Sequence, residues 1–380
     1  MAINYENIPS PCFVLDKSRL IGNLELMNRV QKESGASIIL AFKGFAMWSV
    51  FPTVRQYLSG ATASSLSEAR LCFEEMKSKA HTYSPAYLPE EFDEILSYSS
   101  HITFNSLKQA ETYKDRVMSS PDKVSMGLRV NPGWSDVETM LYNPSAPGSR
   151  LGVSDEELSN GLPDYIEGLH FHVLCESPSE SLVKVLESFE KLYGKYLGRV
   201  KWVNFGGGHL MTKKGYNVEL LIDTIRKFKE KYPHLEVILE PGSAAAWDTG
   251  VLVSRVLDIV ERKGVKTAIL DVSFTAHMPD TLEMPYRPRI IGAGDPTEGK
   301  PTYKLGGVSC LAGDYMHEYS FDKELNIGDK VIFEDMIHYT MVKTTTFNGI
   351  THPSIAIWEK DNSLNVVKEF GYEDFRDRLS

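Results

Sequence analysis

Over the first two thirds of the chain, short apolar runs alternate with longer stretches whose apolar residues recur at helical spacing. This is the pattern of consecutive strand–helix units that build a parallel sheet. Eight short runs read as strands: Ser37 to Lys43, Gly60 to Ser65, His81 to Ser84, His101 to Ser106, Met126 to Asn131, Glu167 to Leu174, Trp202 to Gly207 and Glu236 to Glu240. Leu66 to Lys79, Pro89 to Ser97, Ser181 to Leu197 and Val218 to Tyr232 carry helical spacing between them. Eight such strands predict a (β/α)8 TIM-like barrel over residues 1–246, with the first residues able to pair with a C-terminal β-domain. After Glu240-Pro241-Gly242 the texture changes. Val251 to Val260, Ala268 to Val272 and Lys330 to Phe333 are β-like, with Pro-, Gly- and Thr-containing turns between them. A mainly antiparallel β-domain over residues 247–380 is the expectation.

Barrel enzymes keep their chemistry at the C-terminal ends of the strands, so polar residues there are the informative ones. The runs close, in order, with Lys43, Ser64 and Ser65, Ser84, Asn105, Arg129 and Asn131, His172, Gly206-Gly207-Gly208-His209, and Glu240. An ammonium at Lys43, after SIILAF, is costly unless it reaches the barrel mouth or is consumed in a Schiff base; a solvated lysine is the plainer alternative. The glycine run falls where such barrels bind phosphate, although a tight turn would use glycines too. Glu240 ends an apolar strand and would stay ionised only beside a cation, such as a protonated pyridine nitrogen; a helix cap or ion pair would serve equally. His170 and His172 alternate in GLHFH and so share a face, as paired zinc ligands of barrel hydrolases do. No later strand ends in the further His and Asp such a site needs, and packing is the commoner fate of a histidine. Cys310 and Asp314 lie in the Gly-bounded loop GGVSCLAGD, where a buried inert thiol is the alternative.

Composition changes the picture mainly by exclusion. A hydrophobic fraction of 42% with 24% charged residues describes a globular chain, and its 380 residues exceed a single ordinary core. Lys plus Arg number 41 against 51 Asp plus Glu, a net charge of −10. That balance disfavours nucleic acid or an anionic membrane surface as a partner. Cys12, Cys72, Cys175 and Cys310 are widely spaced without a Cys-x-x-Cys pair, which speaks against a zinc ribbon or a disulfide framework. With no apolar run long enough to span a bilayer, a reducing, cytoplasmic setting is expected.

Taken together, AFKGFA, LRVNP, GLHFHVLCE, FGGGH, EPG, SCLAGD and HYTMVKTTTFNG resemble the alanine-racemase-fold (fold type III) pyridoxal-phosphate decarboxylases, in order along nearly the whole chain. WVNFGGGH and AHMPDT with MPY add a nearer likeness to the carboxynorspermidine/carboxyspermidine decarboxylase family. The resemblance implies a pyridoxal 5′-phosphate cofactor and a carboxylated polyamine substrate. Lys43 would carry the cofactor as a Schiff base, His172 would stack on its ring, and Glu240 would pair with its pyridine nitrogen. Gly206, Gly207, Gly208 and Tyr339 would hold the phosphate, and Arg129 would support the ring from beneath. Cys310, arriving from the other subunit of a homodimer, would protonate the carbanion left by carbon dioxide.

Two positions depart from the wider decarboxylase pattern. Ser243 stands where ornithine- and diaminopimelate-type enzymes have Arg after EPG, and Leu311 where they have an acid after the reactive cysteine. Both disfavour diaminopimelate, ornithine or arginine as substrate. Asp271, His277, Asp280, Glu283 and Asp314 are then candidates for recognising a distal amine. A non-catalytic regulatory homologue is the alternative of another class, and retention of Lys43 and Cys310 weighs against it.

Overall fold

The computed structural model describes residues 3–138, 140, 143–283 and 285–380; Met284 of the MPY motif lies outside them. The chain divides into two compact units, Gly22–Ala245 and the N-terminal segment through Ile21 together with Ala246–Ser380.

In the first unit, eight parallel strands close into a barrel. They are β2 (Ser37–Ala41), β3 (Gly60–Ala63), β4 (Ala80–Tyr83), β5 (Ser99–Phe104), β6 (Ser125–Arg129), β7 (Gly168–His170), β8 (Trp202–Asn204) and β9 (Glu236–Leu239). Closure is made by β2 against β9, with Ser37 opposite Ile238 and Ile38 opposite Leu239. All eight predicted strands are present. Their helices bury one stripe each: Ser179–Leu197 turns Leu182, Val185, Leu186, Phe189 and Tyr193 inward, the three- and four-residue spacing of an amphipathic helix. The helical run expected over Leu66 to Lys79 is an α-helix at Leu66–Leu71 and a π turn at Cys72–Met76, ended by Lys77 at φ +55°.

Inward residues stack in layers because alternate side chains of a strand share a face. In the lower layer Gly127, Gly168 and Trp202 stand opposite one another on β6, β7 and β8. A Cβ at either glycine would collide with the Trp202 ring. The two glycines therefore make the space that one indole fills, and Ile39 and Ile238 complete its packing. Two residues further on, at the same height, come Arg129, His170 and Asn204. The barrel is apolar at that floor and polar immediately above it.

The second unit is a nine-stranded sheet in the order β12-β14-β13-β11-β10-β1-β16-β17, with β15 also on β10. Its strands are β1 (Cys12–Asp16), β10 (Gly250–Arg262), β11 (Val265–Leu270), β12 (Ala293–Gly294), β13 (Thr302–Gly306), β14 (Tyr315–Phe321), β15 (Lys330–Glu334), β16 (Ser354–Trp358) and β17 (Leu364–Lys368). Pairing is mainly antiparallel, with β1 on β16 and β11 on β13 the parallel exceptions. Ile8, Cys12, Val14, Val251, Val253, Ile332 and Ala356 form its core, alternate positions on four strands plus one residue before the first. No helix among the described residues is long and apolar enough to cross a membrane.

Candidate active site

At the C-terminal mouth of the barrel, a cavity of about 220 Å3 is lined by residues including Lys43, Tyr83, Arg129, Arg150, His172 and Glu240. Lys43 lies two residues past the end of β2, and its Nζ is 3.2 Å from His172 Nε2. His172 Nδ1 accepts the Gly207 N–H at 2.7 Å. That bond assigns the ring proton to Nε2 and leaves Lys43 to accept it, which a free amine does and an ammonium does not. The electrostatics agree. Burial first, then the Arg129 charge, lowers the Lys43 pKa. Burial above all holds His172 well below the usual histidine value. Lys43 opens onto the cavity, so its amine is accessible.

Glu240, one residue past β9, is buried with its carboxylate among donors. Asn204 Nδ2 donates to Oε1 at 2.7 Å, and His170 Nε2 stands 3.5 Å from Oε2. Burial acts to raise this carboxyl, but His170 and Asn204 outweigh it and hold the pKa at about 2. The group is a stable anion facing the cavity. Arg129 Nη2 donates to the His172 carbonyl at 2.9 Å, and its guanidinium lies 4.8 Å from the centre of the Tyr83 ring. Asn105 fixes the loop that brings Arg150 to the mouth, donating to the Arg150 carbonyl and accepting the Gly152 N–H, both at 2.8 Å.

The glycine run does more than offer donors. Gly206 and Gly208 have φ of +68° and +89°, and a Cβ on Gly207 would sit 2.5 Å from the Glu240 carbonyl and 3.0 Å from His172 Cε1. Glycine is needed for this close approach. The Gly206 N–H donates to Asn204 Oδ1 at 2.8 Å, and Gly207 donates to His172. Two of the three N–H groups expected at a phosphate thus orient site side chains here, and Gly208 is the remaining donor of the run.

A pyridoxal phosphate group fits these residues: an accessible amine for its aldehyde, an imidazole beside that amine, a buried carboxylate for its ring nitrogen, and a backbone cradle stripped of Cβ atoms. The zinc alternative fares differently. His170 turns to Glu240 and His172 to Lys43, and among the described residues no group of three or more His, Cys, Asp or Glu is placed to hold a metal.

In the sheet unit, Cys310 is exposed and its N–H donates to Asn348 Oδ1 at 2.9 Å. Asp314 is buried, with Oδ1 accepting the N–H groups of Phe274 and Thr275 at 2.7 and 3.2 Å and Oδ2 that of Ser309 at 3.0 Å. Asp271 accepts the Ser10 hydroxyl at 2.8 Å and the Arg255 N–H at 2.9 Å. Both are candidates for substrate, and each carboxylate already holds fold-building donors on both oxygens. His277 is buried and accepts the Ser273 N–H at 3.2 Å, and burial, then the charge of His352, pushes its pKa down to about 4. Asp280 differs from its neighbours: Oδ2 accepts Tyr286 and Thr340 hydroxyls at 2.9 and 2.8 Å, while Oδ1 is buried with no hydrogen-bond partner among the described residues. Glu283 is exposed and pairs with Lys343. Tyr339 is half-buried at φ +44°, a strained conformation for a non-glycine residue.

Asn204, Tyr83 and Arg150 escaped sequence reasoning as site residues. The signal for Asn204 was its place in WVNF, two residues from Trp202 and therefore inward, where an amide demands a partner.

Comparison with known proteins agrees with this chemistry. A family model described as pyridoxal-dependent decarboxylase, C-terminal sheet domain, matches residues 12–337. A carboxyaminopropylagmatine decarboxylase from Synechocystis sp. is 50% identical over 98% of this chain and 96% of its own. A carboxynorspermidine/carboxyspermidine decarboxylase from Campylobacter jejuni is 46% identical over 98% of both chains. The crystal structure of carboxynorspermidine decarboxylase complexed with norspermidine, from the same species, superposes with a TM-score of 0.91 at 44% identity, covering 98% of this chain and 100% of that one. Matched over nearly its whole length in sequence and in fold, the chain belongs to the carboxynorspermidine/carboxyspermidine decarboxylase family of pyridoxal-phosphate-dependent decarboxylases.

Proposed function

We propose that the chain removes the α-carboxylate of a carboxylated polyamine, converting carboxynorspermidine to norspermidine, carboxyspermidine to spermidine, or both. The observation that carries this is the full-length 46% identity to a relative named for those two activities. Ser243 and Leu311 support it against diaminopimelate, ornithine and arginine. One further substrate has its own support: the relative at 50% identity is named for carboxyaminopropylagmatine, which puts a guanidinium where the triamines have an amine.

Bound pyridoxal phosphate supplies an electron sink for the pair left behind when carbon dioxide departs. Lys43, as a free amine, is the residue that would hold the cofactor through its aldehyde. Glu240 would anchor the ring nitrogen by its fixed negative charge, with His172 on the ring face and Arg129 bracing His172 through its carbonyl. Gly208 and Tyr339 would contribute to the phosphate site. Cys310 of the partner subunit in a homodimer would donate the proton that replaces the carboxylate. Asp280 is the strongest of the candidate amine acceptors, because a protonated amine would satisfy its bare Oδ1; Glu283 and His277 are the others.

The test is carbon dioxide release by the cofactor-loaded protein from carboxynorspermidine, carboxyspermidine and carboxyaminopropylagmatine, beside diaminopimelate, ornithine, lysine and arginine. Selective release from the two carboxylated triamines is expected. Release only from carboxyaminopropylagmatine moves the substrate to the second reading. Release only from a simple diamino acid overturns the carboxylated polyamine, and release from none overturns the assignment of activity.

A further inference from the structure

Glu240 is held more completely than a counter-ion to a ring nitrogen requires. Its backbone N–H donates to the Gly206 carbonyl at 2.8 Å. Its Oε1 receives Asn204 Nδ2, and the orientation of that amide is set at its other end, where Asn204 Oδ1 accepts the Gly206 N–H. Asn204 can therefore present only a donor to Glu240, which suits a carboxylate and opposes a proton on Oε1. The remaining oxygen, Oε2, faces His170 Nε2 at 3.5 Å. Asn204 and His170 stand directly opposite on adjacent strands, so their spacing is fixed by the barrel ladder. Both ring nitrogens of His170 are buried without a hydrogen bond in this structure, and the Tyr83 ring packs 5.4 Å away.

Resting on the reading of the chain as a pyridoxal-phosphate decarboxylase, we propose that His170 is a positioning residue, which with Asn204 forms a neutral two-sided clamp on Glu240 and keeps it anionic for the cofactor's ring nitrogen. Neutrality is the point of the arrangement. A lysine or arginine at either place would stabilise the anion by cancelling its charge, and so weaken its hold on a pyridinium. Two neutral donors orient and stabilise the carboxylate while leaving its charge for the ring. Burial and the Arg129 charge on β6 oppose a proton on His170, as would a proton on neighbouring His172 or on His81 of β4, itself stacked 3.8 Å from His101 on β5; Glu240 favours one. Closure of the 3.5 Å gap to a full hydrogen bond needs a movement of only a few tenths of an ångström, the tightening common when a site fills.

The experiment compares the wild type with His170→Phe, His170→Gln and Asn204→Leu. Apoprotein is titrated with pyridoxal phosphate, the ring nitrogen is read by 15N NMR with labelled cofactor, and kcat and KM are measured separately. Losing one charge-assisted donor should lower kcat by about tenfold to a hundredfold, with KM within about twofold. In His170→Phe and Asn204→Leu the 15N signal should move toward the unprotonated ring, and cofactor affinity should fall. His170→Gln keeps a donor and should restore most of both. A ring nitrogen that stays protonated in all three variants, or Gln and Phe variants equally impaired, overturns the clamp, since a packing role alone predicts no donor dependence. Wild-type protein that takes up no cofactor overturns the clamp together with the decarboxylase reading; an active wild type beside variants with unchanged 15N signals overturns the clamp alone.

Discussion

Replacing Asp314 separates a residue that builds the site from one that binds substrate. Its carboxylate accepts three backbone N–H groups, from Phe274, Thr275 and Ser309, and two of these are first-turn donors of the helix Phe274–His277. The third belongs to the residue before Cys310. A hydrogen bond to a charged group is worth about 1.5–3 kcal/mol, and a buried amide left without an acceptor costs about 1–3 kcal/mol. Asp314→Ala therefore destabilises the Cys310 loop and its anchor by roughly 3–9 kcal/mol, the lower end holding if water enters. Asp314→Asn keeps Oδ1 for the helix donors but turns an NH2 toward the Ser309 N–H, so the loop side alone loses its acceptor. Turnover should fall in both variants with KM nearly constant, and the alkylation rate of Cys310 should rise as its loop loosens. Cofactor affinity should be unchanged in Asp314→Asn. A KM that rises tenfold or more in Asp314→Asn, with Cys310 alkylation at the wild-type rate, would show the carboxylate meeting a cationic substrate and refute the loop role.

Four other outcomes follow from the geometry. Lys43→Ala should abolish turnover and leave no borohydride-reducible cofactor adduct; unchanged activity would sink the lysine's assignment. Cys310→Ala should lower kcat by about a hundredfold to ten-thousandfold, the range for a positioned proton donor, while the protein still binds cofactor; loss of cofactor with normal turnover per bound cofactor contradicts this. Gly168→Ala drives a methyl group into the Trp202 ring and should destabilise the barrel by about 2 kcal/mol or more in urea unfolding, with partial recovery on adding Trp202→Phe. His277, buried and with a folded pKa of about 4 against about 6.5 unfolded, stays neutral while the unfolded chain takes up a proton, so its contribution is complete above pH 6.5 and is lost as pH falls through 4. The stability gap between wild type and His277→Gln should accordingly shrink by about 2 kcal/mol from pH 7 to pH 5, and parallel curves would refute it.

β2, β6 and β9 were legible because they are buried on both faces and show as compact apolar runs, whereas β3 (Gly-Ala-Thr-Ala) and the alternately buried β4 (Ala-His-Thr-Tyr) drew their support from the spacing of the whole series. For β1 the sequence suggested only that the first residues could pair with the β-domain; its extent and its register against residues 250–253 and 354–358, hundreds of positions away, have no local signal. Lys43, His172 and Glu240 were legible through their place at strand ends. His170 was visible only as half of a histidine pair that zinc sites and cores also use. Its meeting with Glu240 depends on the stagger between β7 and β9, which no local pattern encodes.

The carboxylates show most plainly what a sequence leaves open. Asp271, Asp280, Asp314 and Glu240 all sit in short polar interruptions of apolar chain, and residue type alone gives each the same repertoire of cap, ion pair or ligand. Counting donors at each oxygen separates them. Asp314 accepts on both oxygens from rigid backbone amides, and Asp271 from a serine and a backbone amide, so each is tied at both oxygens to a loop or a strand that a substrate would have to share. Glu240 accepts a side-chain donor on one oxygen, has His170 3.5 Å from the other and still borders the cavity, which leaves its charge directed at whatever fills it. Asp280 is saturated on one oxygen and, among the described residues, without a donor on the other. A buried carboxylate oxygen with no donor is costly unless something supplies one. Under the proposed function, that deficit is the physical reason to rank Asp280 above its acidic neighbours as the candidate to meet a substrate amine.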